Sequence, residues 1–292
     1  MPNIRKLFPL VLSTFLWGLQ PIALKMLLIQ YTSSTITLFR SIAMLLFYFV
    51  LMKASNISFP HNLSPGKWGI LFIMGFTGTT VCSISQYEGL RYAPVFHCVL
   101  FSAAVPAITA CLAYIFLKEH LNLLQWCGIL LSFFGVLFML TKGDVLHIWS
   151  ESFNIGDILF FVNELAWSIY IIASRYVLVT LSPLQTTAWA NFAGVITLIP
   201  YIFSVGNLNW TAPDTTSVLS FIFIVIFGGV LAMLAWNKGI ASVGARGAIF
   251  NNVVPFTGLI FSNLILNESI DVFDIAGLAA VGYGIYLLIY RK

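Results

Sequence analysis

The chain has 292 residues, of which 60% are hydrophobic and only 8% are charged. Soluble domains average about 25% charged residues, so this composition excludes a water-soluble globular fold and favours a membrane protein. The net charge of +4 comes from scattered cations that form no basic stripe interleaved with aromatic residues, which argues against a nucleic-acid partner.

Ten apolar runs follow one another along the chain, each long enough to cross about 30 Å of hydrocarbon as a helix. They predict helices near residues 7–29, 34–52, 68–88, 94–117, 122–141, 156–177, 183–205, 216–238, 246–266 and 271–290. Short segments rich in Ser, Asn, Pro and Gly separate the runs and leave no room for a soluble domain. The first run lacks a small-x-small cleavage site, so a retained helix is favoured over a signal peptide.

The distribution of Lys and Arg predicts the orientation in the membrane. With a cytoplasmic N-terminus, ten of these residues lie at inner helix ends, and only Arg91 and Lys142 lie in outer loops. This is the bias of the positive-inside rule, so both termini of this multi-pass chain are expected in the cytoplasm. Lys25 and Arg40 fall within outer helix ends, where long cationic side chains can snorkel to the interface.

The two halves of the chain repeat the same spaced residues. A shift of 149 positions relates four pairs: Pro106 and Pro255, Glu119 and Glu268, Gly128 and Gly277, Gly135 and Gly284. Further upstream, a shift of 150 positions relates three more: Trp17 and Trp167, Lys25 and Arg175, Gly89 and Gly239. Because each half has an odd number of helices, the second half must enter the membrane from the opposite face. The predicted fold is therefore an all-α integral membrane protein of two inverted five-helix repeats, 1–143 and 144–292, an architecture typical of secondary transporters.

The segments around the repeated prolines resemble a known family. Residues 102–140 read SAAVPAITACLAYIFLKEHLNLLQWCGILLSFFGVLFML, and residues 251–289 read NNVVPFTGLIFSNLILNESIDVFDIAGLAAVGYGIYLLI. They look like the paired EamA domains of the drug/metabolite transporter superfamily. Further family-like features are Leu16 to Gly18 in the first helix, Arg40 in the second, and the Gly-Leu-Arg-Tyr-Ala turn at 89–93. The second copy departs from the pattern, with Asn237-Lys238 in the turn where the first has Tyr87-Glu88.

The resemblance implies ten helices and the export or exchange of amino acids or related small metabolites across a bacterial inner membrane. It does not name a substrate, because the shared pattern is mostly scaffold. Transporters of nucleotide-derived or sulfonium metabolites or of drugs stay open as alternatives. A receptor or assembly subunit that transports nothing is a further alternative.

Polar residues at membrane depth are the main site candidates. Glu164 lies near the middle of the sixth predicted helix, where an ionisable group costs about 2.5 to 3.5 kcal/mol, so it is expected to bind substrate or couple protons. The alternative is a protonated, hydrogen-bonded structural residue. Helical spacing aligns two polar and aromatic stripes that correspond between the halves: Ser13, Trp17 and Gln20, and Asn163, Trp167 and Tyr170. These stripes line either one central cavity or a packing seam.

Secondary candidates surround these stripes. Gln86, Tyr87 and Trp236 are expected to close the sides of the cavity, or alternatively to anchor the interface. His97 is a second coupling candidate as a proton relay, or else a satisfied structural histidine. Asn251 joins the site, or re-satisfies the backbone freed by the following proline.

Three features of the repeat are interpreted as scaffold. Glu119 and Glu268 each precede the last helix of a half, where a carboxylate is predicted to cap that helix. Pro106 and Pro255 predict matched bends or matched hinges. The paired glycines of the fifth and tenth helices are seven residues apart and predict close helix contact.

The absence of certain sequence motifs limits which energy source and which chemistry can be expected of the chain. Without a GxxxxGK[ST] loop the chain is not expected to hydrolyse ATP, so transport is facilitated or coupled to an ion or proton gradient. Without an HExxH motif or a carboxylate pair in the membrane, neither an enzyme nor a metal site nor a cofactor is expected. The cysteines read as small apolar residues: Cys82, Cys98, Cys111 and Cys127. The expected partners are a small-molecule substrate and the lipid bilayer; a monomer suffices, and a dimer stays open.

Overall fold

The computed structural model describes residues 4–58, 60, 62–118, 122–144, 154–205 and 207–289, which form ten helical segments and no strand. The segments are α1 Ile4–Leu27, α2 Ser33–Ala54, α3 Pro65–Tyr92, α4 Val95–Phe116, α5 Leu123–Leu140, α6 Ile155–Val177, α7 Pro183–Val205, α8 Thr215–Val243, α9 at 244–266 and α10 Val272–Ile289.

Seven of these segments are long and apolar enough to cross a membrane, namely α1 to α4 and α6 to α8. The remaining three contain shorter apolar helices, Leu123–Gly135, Phe250–Leu266 and Val272–Gly284. Large apolar side chains such as Phe8, Leu46 and Phe203 project from the outside of the bundle. The part of the chain that the structure describes is therefore an all-helical, multi-pass membrane fold, as the composition predicts.

Two helices continue beyond their predicted ends. The apolar runs place these ends at residues 88 and 238, whereas α3 reaches Tyr92 and α8 reaches Val243. Tyr87-Glu88 and Asn237-Lys238 therefore lie inside helices, and their predicted position in a turn is wrong. Gly89, the first residue of the predicted turn, allows close packing between helices instead. A Cβ atom at Gly89 would lie 2.6 Å from the ring of Phe160.

The ends of α3 and α8 have local backbone causes. Ala93 is extended because Pro94 follows it, which disfavours a helical residue at that position. Gly244 ends α8 with a φ of +74°, a left-handed conformation that costs glycine little.

The helices α5 and α10 pack against each other through paired glycines. A Cβ atom at Gly284 would lie 2.5 Å from the Gly128 carbonyl oxygen, and one at Gly135 would lie 3.0 Å from the Gly277 carbonyl oxygen. Such backbone approach requires residues without side chains. The close contact predicted for these glycines is confirmed.

Hydrogen bonds show which helix termini share an end of the bundle. Asn209, between α7 and α8, donates from Nδ2 to the carbonyl oxygen of Gln30 beyond α1 at 2.8 Å. His97 Nδ1 in the first turn of α4 lies 2.7 Å from Asp157 Oδ1 in the first turn of α6. This end also contains the last turn of α1, and we call it the Lys25 end.

The opposite end is defined in the same way. Lys67 Nζ in the first turn of α3 donates to Thr180 Oγ1 beyond α6 at 2.6 Å. Gln185 Nε2 near the start of α7 donates to the Ser58 carbonyl oxygen beyond α2 at 3.1 Å. We call this the Arg175 end, because Arg175 lies in the last turn of α6.

Four of the helices change type along their length. The segments Phe76–Val81 of α3 and Phe223–Leu231 of α8 are π-helical. Short 3-10 segments, Ser102–Ala104 in α4 and Gly244–Asn252 in α9, come before the repeated prolines. Changes of this kind inside helices are frequent at functional sites, and here they occupy corresponding places in the two halves.

Candidate functional site

A cavity of about 110 Å³ lies in the middle of the bundle, between α1, α2, α3, α4, α6, α8 and α9. This volume can hold several water molecules or part of a small metabolite. Seven residues predicted from the sequence line it: Trp17, Gln20, Gln86, Asn163, Glu164, Trp167 and Asn251. The stripes of α1 and α6 therefore meet at one cavity, although not with all of their predicted members.

The other predicted members of the stripes lie behind the cavity. Ser13 is fully buried and donates to the carbonyl oxygen of Leu10 in its own helix at 2.8 Å. Its hydroxyl is therefore already satisfied. Tyr170 is also buried, and its hydroxyl oxygen accepts from Asn237 Nδ2 at 2.7 Å. Both residues contribute to the packing that supports the lining rather than to the lining itself.

Tyr87 and Trp236 have no exposed surface and do not line the cavity. Tyr87 belongs to a large apolar cluster to which most of the helices contribute. Trp236 lies against the cavity tryptophans, with ring centroids 5.2 Å from Trp17 and 5.7 Å from Trp167. The structure therefore places these two predicted residues in the core beside the site.

Three tryptophans and one tyrosine form an aromatic cluster along one side of the cavity. The rings of Trp17 and Trp167 meet edge to face with centroids 5.0 Å apart. Tyr170 stacks on Trp167 at 4.8 Å. Trp17 Nε1 also donates to the carbonyl oxygen of Gly228 in the π-helical segment of α8 at 3.0 Å, which fixes the orientation of its ring. The cluster presents a rigid apolar face to the cavity.

Arg40 lines the cavity and is only 9% exposed. Its Nε donates to the carbonyl oxygen of Ile224 at 3.0 Å, and its Nη2 donates to Gln20 Oε1 at 3.2 Å. The predicted snorkelling of Arg40 to the interface is therefore wrong. The residue is seven positions into α2, roughly 10 Å along its axis, and it finds acceptors inside the bundle.

Lys25, the other cation predicted to snorkel, is half-buried at its end of the bundle. Its Nζ donates to the carbonyl oxygens of Leu90 and Ala93 at the end of α3. Its position near the helix end agrees with the prediction, but its charge points to another helix rather than to the interface.

Glu164 lines the cavity and is 5% exposed. Within the part of the chain that the structure describes, no hydrogen bond or salt bridge joins its carboxylate to another group. A structural glutamate would be expected to have such a partner, because a buried polar group is costly when it is unpaired. The neighbouring Asn163 is different, since its Nδ2 donates to the carbonyl oxygen of Cys82 at 2.8 Å and ties α6 to α3.

Asn251 precedes the helical turn of Pro255 and is 3% exposed at the edge of the cavity. Its side-chain oxygen Oδ1 has no hydrogen-bond partner among the described residues. An acceptor that is buried at a cavity wall and left unpaired is suited to a ligand or a water molecule.

Two glycines in the π-helical segments bring the backbone close to the lining. A Cβ atom at Gly78 would lie 2.4 Å from the ring of Tyr170, and one at Gly228 would lie 2.7 Å from Gln20 Oε1. Both the glycines and their contacts correspond under the repeat. The wide π-helical turns therefore press against equivalent side chains from opposite sides of the site.

His97 lies apart from the cavity, at the Lys25 end. Its partner Asp157 is fully buried and also accepts from the Asn154 backbone N–H at 2.9 Å in a capping box at the start of α6. Both groups are thus held in a fixed contact between α4 and α6. The structure brings His97 to a carboxylate but not to the predicted substrate-binding residues.

Glu268 caps a helix, but not the predicted one. Its carboxylate accepts from the backbone N–H groups of Val95 at 3.0 Å and Phe96 at 2.9 Å, at the start of α4. The start of α10 is capped instead by Asp271, which accepts from the Phe273 and Asp274 N–H groups. Because Asp271 caps α10, the Glu268 carboxylate caps α4 in the other half of the chain. Its repeat mate Glu119 lies outside the described residues.

The sequence matches the EamA-like transporter family over residues 5–141 and again over residues 154–290. The chain belongs to this family. It is 30% identical to the uncharacterized transporter YyaM of Bacillus subtilis (strain 168), over 74% of this chain and 70% of that protein. It is 24% identical to an uncharacterized transporter of Archaeoglobus fulgidus, over 99% of this chain and 100% of that one.

A solved crystal structure has the same fold, with a TM-score of 0.72 at 14% identity, covering 98% of this chain and 96% of the other. Membership of the EamA-like family identifies the chain as a multi-pass membrane transporter. Its environment is therefore a lipid bilayer, and its substrate is a small molecule.

Proposed function

We propose that this EamA-like transporter is a secondary transporter for amino acids or amino-acid-like compounds, which it exports or exchanges by alternating access. The observation that supports this substrate class is the pair of opposite charges at the cavity wall. Arg40 and Glu164 line the same cavity but form no salt bridge with each other in the described structure. A dipolar substrate can use both charges at once.

The two charges divide the cavity into complementary sides. On one side, Arg40 and Gln20 offer N–H donors to a carboxylate, in the charge-assisted geometry that arginine favours. On the other side, Glu164 and the unpaired oxygen of Asn251 offer acceptors to an ammonium group. Gln86 and Asn163 also line the cavity, while Tyr87, Tyr170, Trp236 and Ser13 support the lining from behind.

Trp17 and Trp167 receive the substrate side chain in this proposal. Their aromatic faces attract apolar or cationic groups by stacking and cation-π contact. This feature favours a second candidate class, sulfonium or nucleotide-derived metabolites and drugs, whose flat or cationic parts suit the same surface.

The ten helices are proposed as two inverted repeats, 1–143 and 144–292, in a bacterial inner membrane with both termini in the cytoplasm. The ten-to-two bias of Lys and Arg supports this orientation. The alternation of consecutive helices between the Lys25 and Arg175 ends is what such a topology requires. In this orientation the Lys25 end is periplasmic.

Glu164 is proposed as the group that couples transport to protons, because it is ionisable and lies at the cavity wall. His97 is a second coupling candidate, acting through its contact with Asp157 rather than by contact with substrate. A facilitated transporter without coupling would use Glu164 only to bind the substrate cation.

A ligand screen of the purified protein tests the substrate class. Thermal unfolding would be measured with amino acids, nucleosides, sulfonium metabolites and nucleotide sugars, since a ligand that binds the folded state raises its stability. We expect amino acids to raise the unfolding temperature, and the same compounds to exchange in proteoliposome counterflow. Stabilisation by nucleosides or sulfonium compounds alone would overturn the amino-acid assignment. Binding without counterflow would favour a receptor.

A further inference from the structure

The turn between α3 and α4 is held by charged side chains from both halves of the chain. Lys25 of α1 donates to the carbonyl oxygens of Leu90 and Ala93, on the α3 side of the turn. Glu268, between α9 and α10, accepts from the N–H groups of Val95 and Phe96, on the α4 side. We call these two residues with their four backbone contacts the Lys25–Glu268 clamp.

The clamp is favourable because each charge lies where a helix dipole needs it. A cation stabilises the negative end of α3, and an anion stabilises the positive end of α4. Pro94 precedes α4 and provides no side-chain cap, so Glu268 supplies the missing acceptor from another part of the chain. Asn263 Nδ2 donates to the backbone oxygen of Glu268 at 2.8 Å and holds that loop in place.

The clamped helix α4 contributes part of the wall of the central cavity. Cys98, Val99 and Ser102 of α4 line the cavity, within about two turns of the clamped N–H groups. The contact between His97 and Asp157 fixes the same first turn of α4 against α6. These contacts hold the start of α4 against the α9–α10 loop and against α6, and they hold the end of α3 against α1.

The corresponding corner at the other end of the bundle is arranged differently. The repeat mates of Lys25, Leu90, Ala93 and Pro94 are Arg175, Ile240, Val243 and Gly244. Those four residues line a second cavity of about 400 Å³ at the Arg175 end. The same corner of the repeat therefore has the Lys25 ammonium on the backbone of a tight turn at one end, and borders a cavity, with the Arg175 guanidinium beside Gly244, at the other.

We propose that the Lys25–Glu268 clamp is the gate that closes the Lys25 end of the transport path. In this structure the clamp is formed, and the second cavity lies at the opposite, Arg175 end. Release of the turn at Ala93 and Pro94 lets α4 swing away and exposes the central cavity at the Lys25 end. The inference rests on the proposed alternating access, but it concerns access to the cavity rather than substrate identity.

Two natural cysteines report on access, because Cys82 and Cys98 line the central cavity. Replacing only Cys111 and Cys127 by Ala leaves these two thiols as reporters without changing the cavity lining. A membrane-impermeant maleimide would be applied to right-side-out and to inside-out vesicles. We expect Lys25→Met and Glu268→Gln to increase labelling from the Lys25 side by about tenfold, the effect of losing charge-assisted hydrogen bonds. Labelling from the Arg175 side should fall.

Matched controls at the same end are Lys142→Met and Asp214→Asn. The Lys142 side chain forms an exposed salt bridge of 3.7 Å with Asp271, and asparagine preserves the cap that Asp214 provides to α8. Neither control should change labelling. Unchanged labelling in both clamp variants, with normal thermal unfolding, would overturn the gate.

A clamp variant that does not fold is replaced by a cross-link. Glu268→Cys with Phe96→Cys, joined by a short bifunctional reagent in the same background, should abolish labelling from the Lys25 side and stop counterflow. Continued flux through the cross-linked protein would also overturn the gate. Increased labelling in a protein that transports no amino acid would leave the gate standing and refute the substrate assignment instead.

Discussion

The two halves of this transporter share a scaffold but differ in their charges. Trp17 and Trp167 correspond and meet at the centre, and Gly78 corresponds to Gly228 in the matched π-helical segments. The cavity charges have no such mates, because Arg40 corresponds to Ala190 and Glu164 corresponds to Thr14. The two halves thus share their packing, which the proposed inverted halves would need in order to exchange roles. The charges instead suit the proposed substrate, which has different groups at its two ends.

The largest loss of substrate affinity is expected when one of the two cavity charges is removed. Glu164→Gln keeps size and hydrogen bonding but removes the charge, and we expect substrate affinity to fall by about 30-fold or more, as for loss of one partner in a buried charge pair. If Glu164 couples protons, the pH dependence of flux should also disappear. Both quantities can be measured by uptake into proteoliposomes against an imposed pH gradient.

Substrate analogues assign each charge to one end of the ligand. The wild-type protein should prefer an amino acid over its amide and over its N-acetyl derivative. Arg40→Gln should lose only the preference over the amide, and Glu164→Gln only the preference over the N-acetyl derivative. Equal loss of both preferences in either variant would contradict the division of the cavity into two sides. Thr14→Val, at the mate of Glu164, should change neither.

The sequence predicted the helices and much of the cavity because both signals are local. Apolar runs identify spans, and a polar residue inside a run, such as Gln86 or Asn251, indicates a site. Arg40 was missed as a site residue because a cation near a helix end is usually interpreted as snorkelling. Its acceptors, the Ile224 carbonyl oxygen and Gln20, belong to other helices. The sequence of its own helix therefore could not reveal them.

Other differences have the same origin in tertiary contacts. The π-helical segments follow from packing between helices rather than from the helix propensity of their residues. No periodicity in Phe76–Val81 therefore predicted them. Glu268 was assigned to its own helix because a dipole argument considers only the nearest one. The structure shows that a carboxylate in a loop can cap a helix from the other half of the chain.

A smaller loss of substrate affinity is expected at the paired tryptophans, where the two halves are alike. Trp17→Ala and Trp167→Ala should each weaken substrate binding several-fold, because each removes one aromatic face from the cavity. Their effects should be less than additive, since both rings contact each other and the same ligand. Isothermal titration of the two single variants and the double variant measures this coupling. Phe15→Ala and Ile169→Ala, which do not line the cavity, are the controls.

Thermal unfolding of the two tryptophan variants, measured alongside their substrate affinity, distinguishes a binding site from a packing seam. If both variants lose thermal stability while the affinity of the folded fraction is unchanged, the aromatic cluster is scaffold alone. The binding site would then centre on Gln86, Asn251 and the two charges.

The smallest effect on substrate binding is expected at the matched glycines, whose replacement should change stability instead and not equally. A Cβ atom at Gly78 would meet the ring of Tyr170, which is stacked on Trp167 and cannot yield, whereas one at Gly228 would meet the end of the flexible Gln20 side chain. We expect Gly78→Ala to destabilise the protein by about 1 to 3 kcal/mol and Gly228→Ala by less. Chemical denaturation in mixed micelles compares them, with Gly282→Ala as the control because no atom lies within 4 Å of its Cβ position. Equal losses at both positions would show that the π-helical segments respond as one symmetric unit, independently of the side chains they contact.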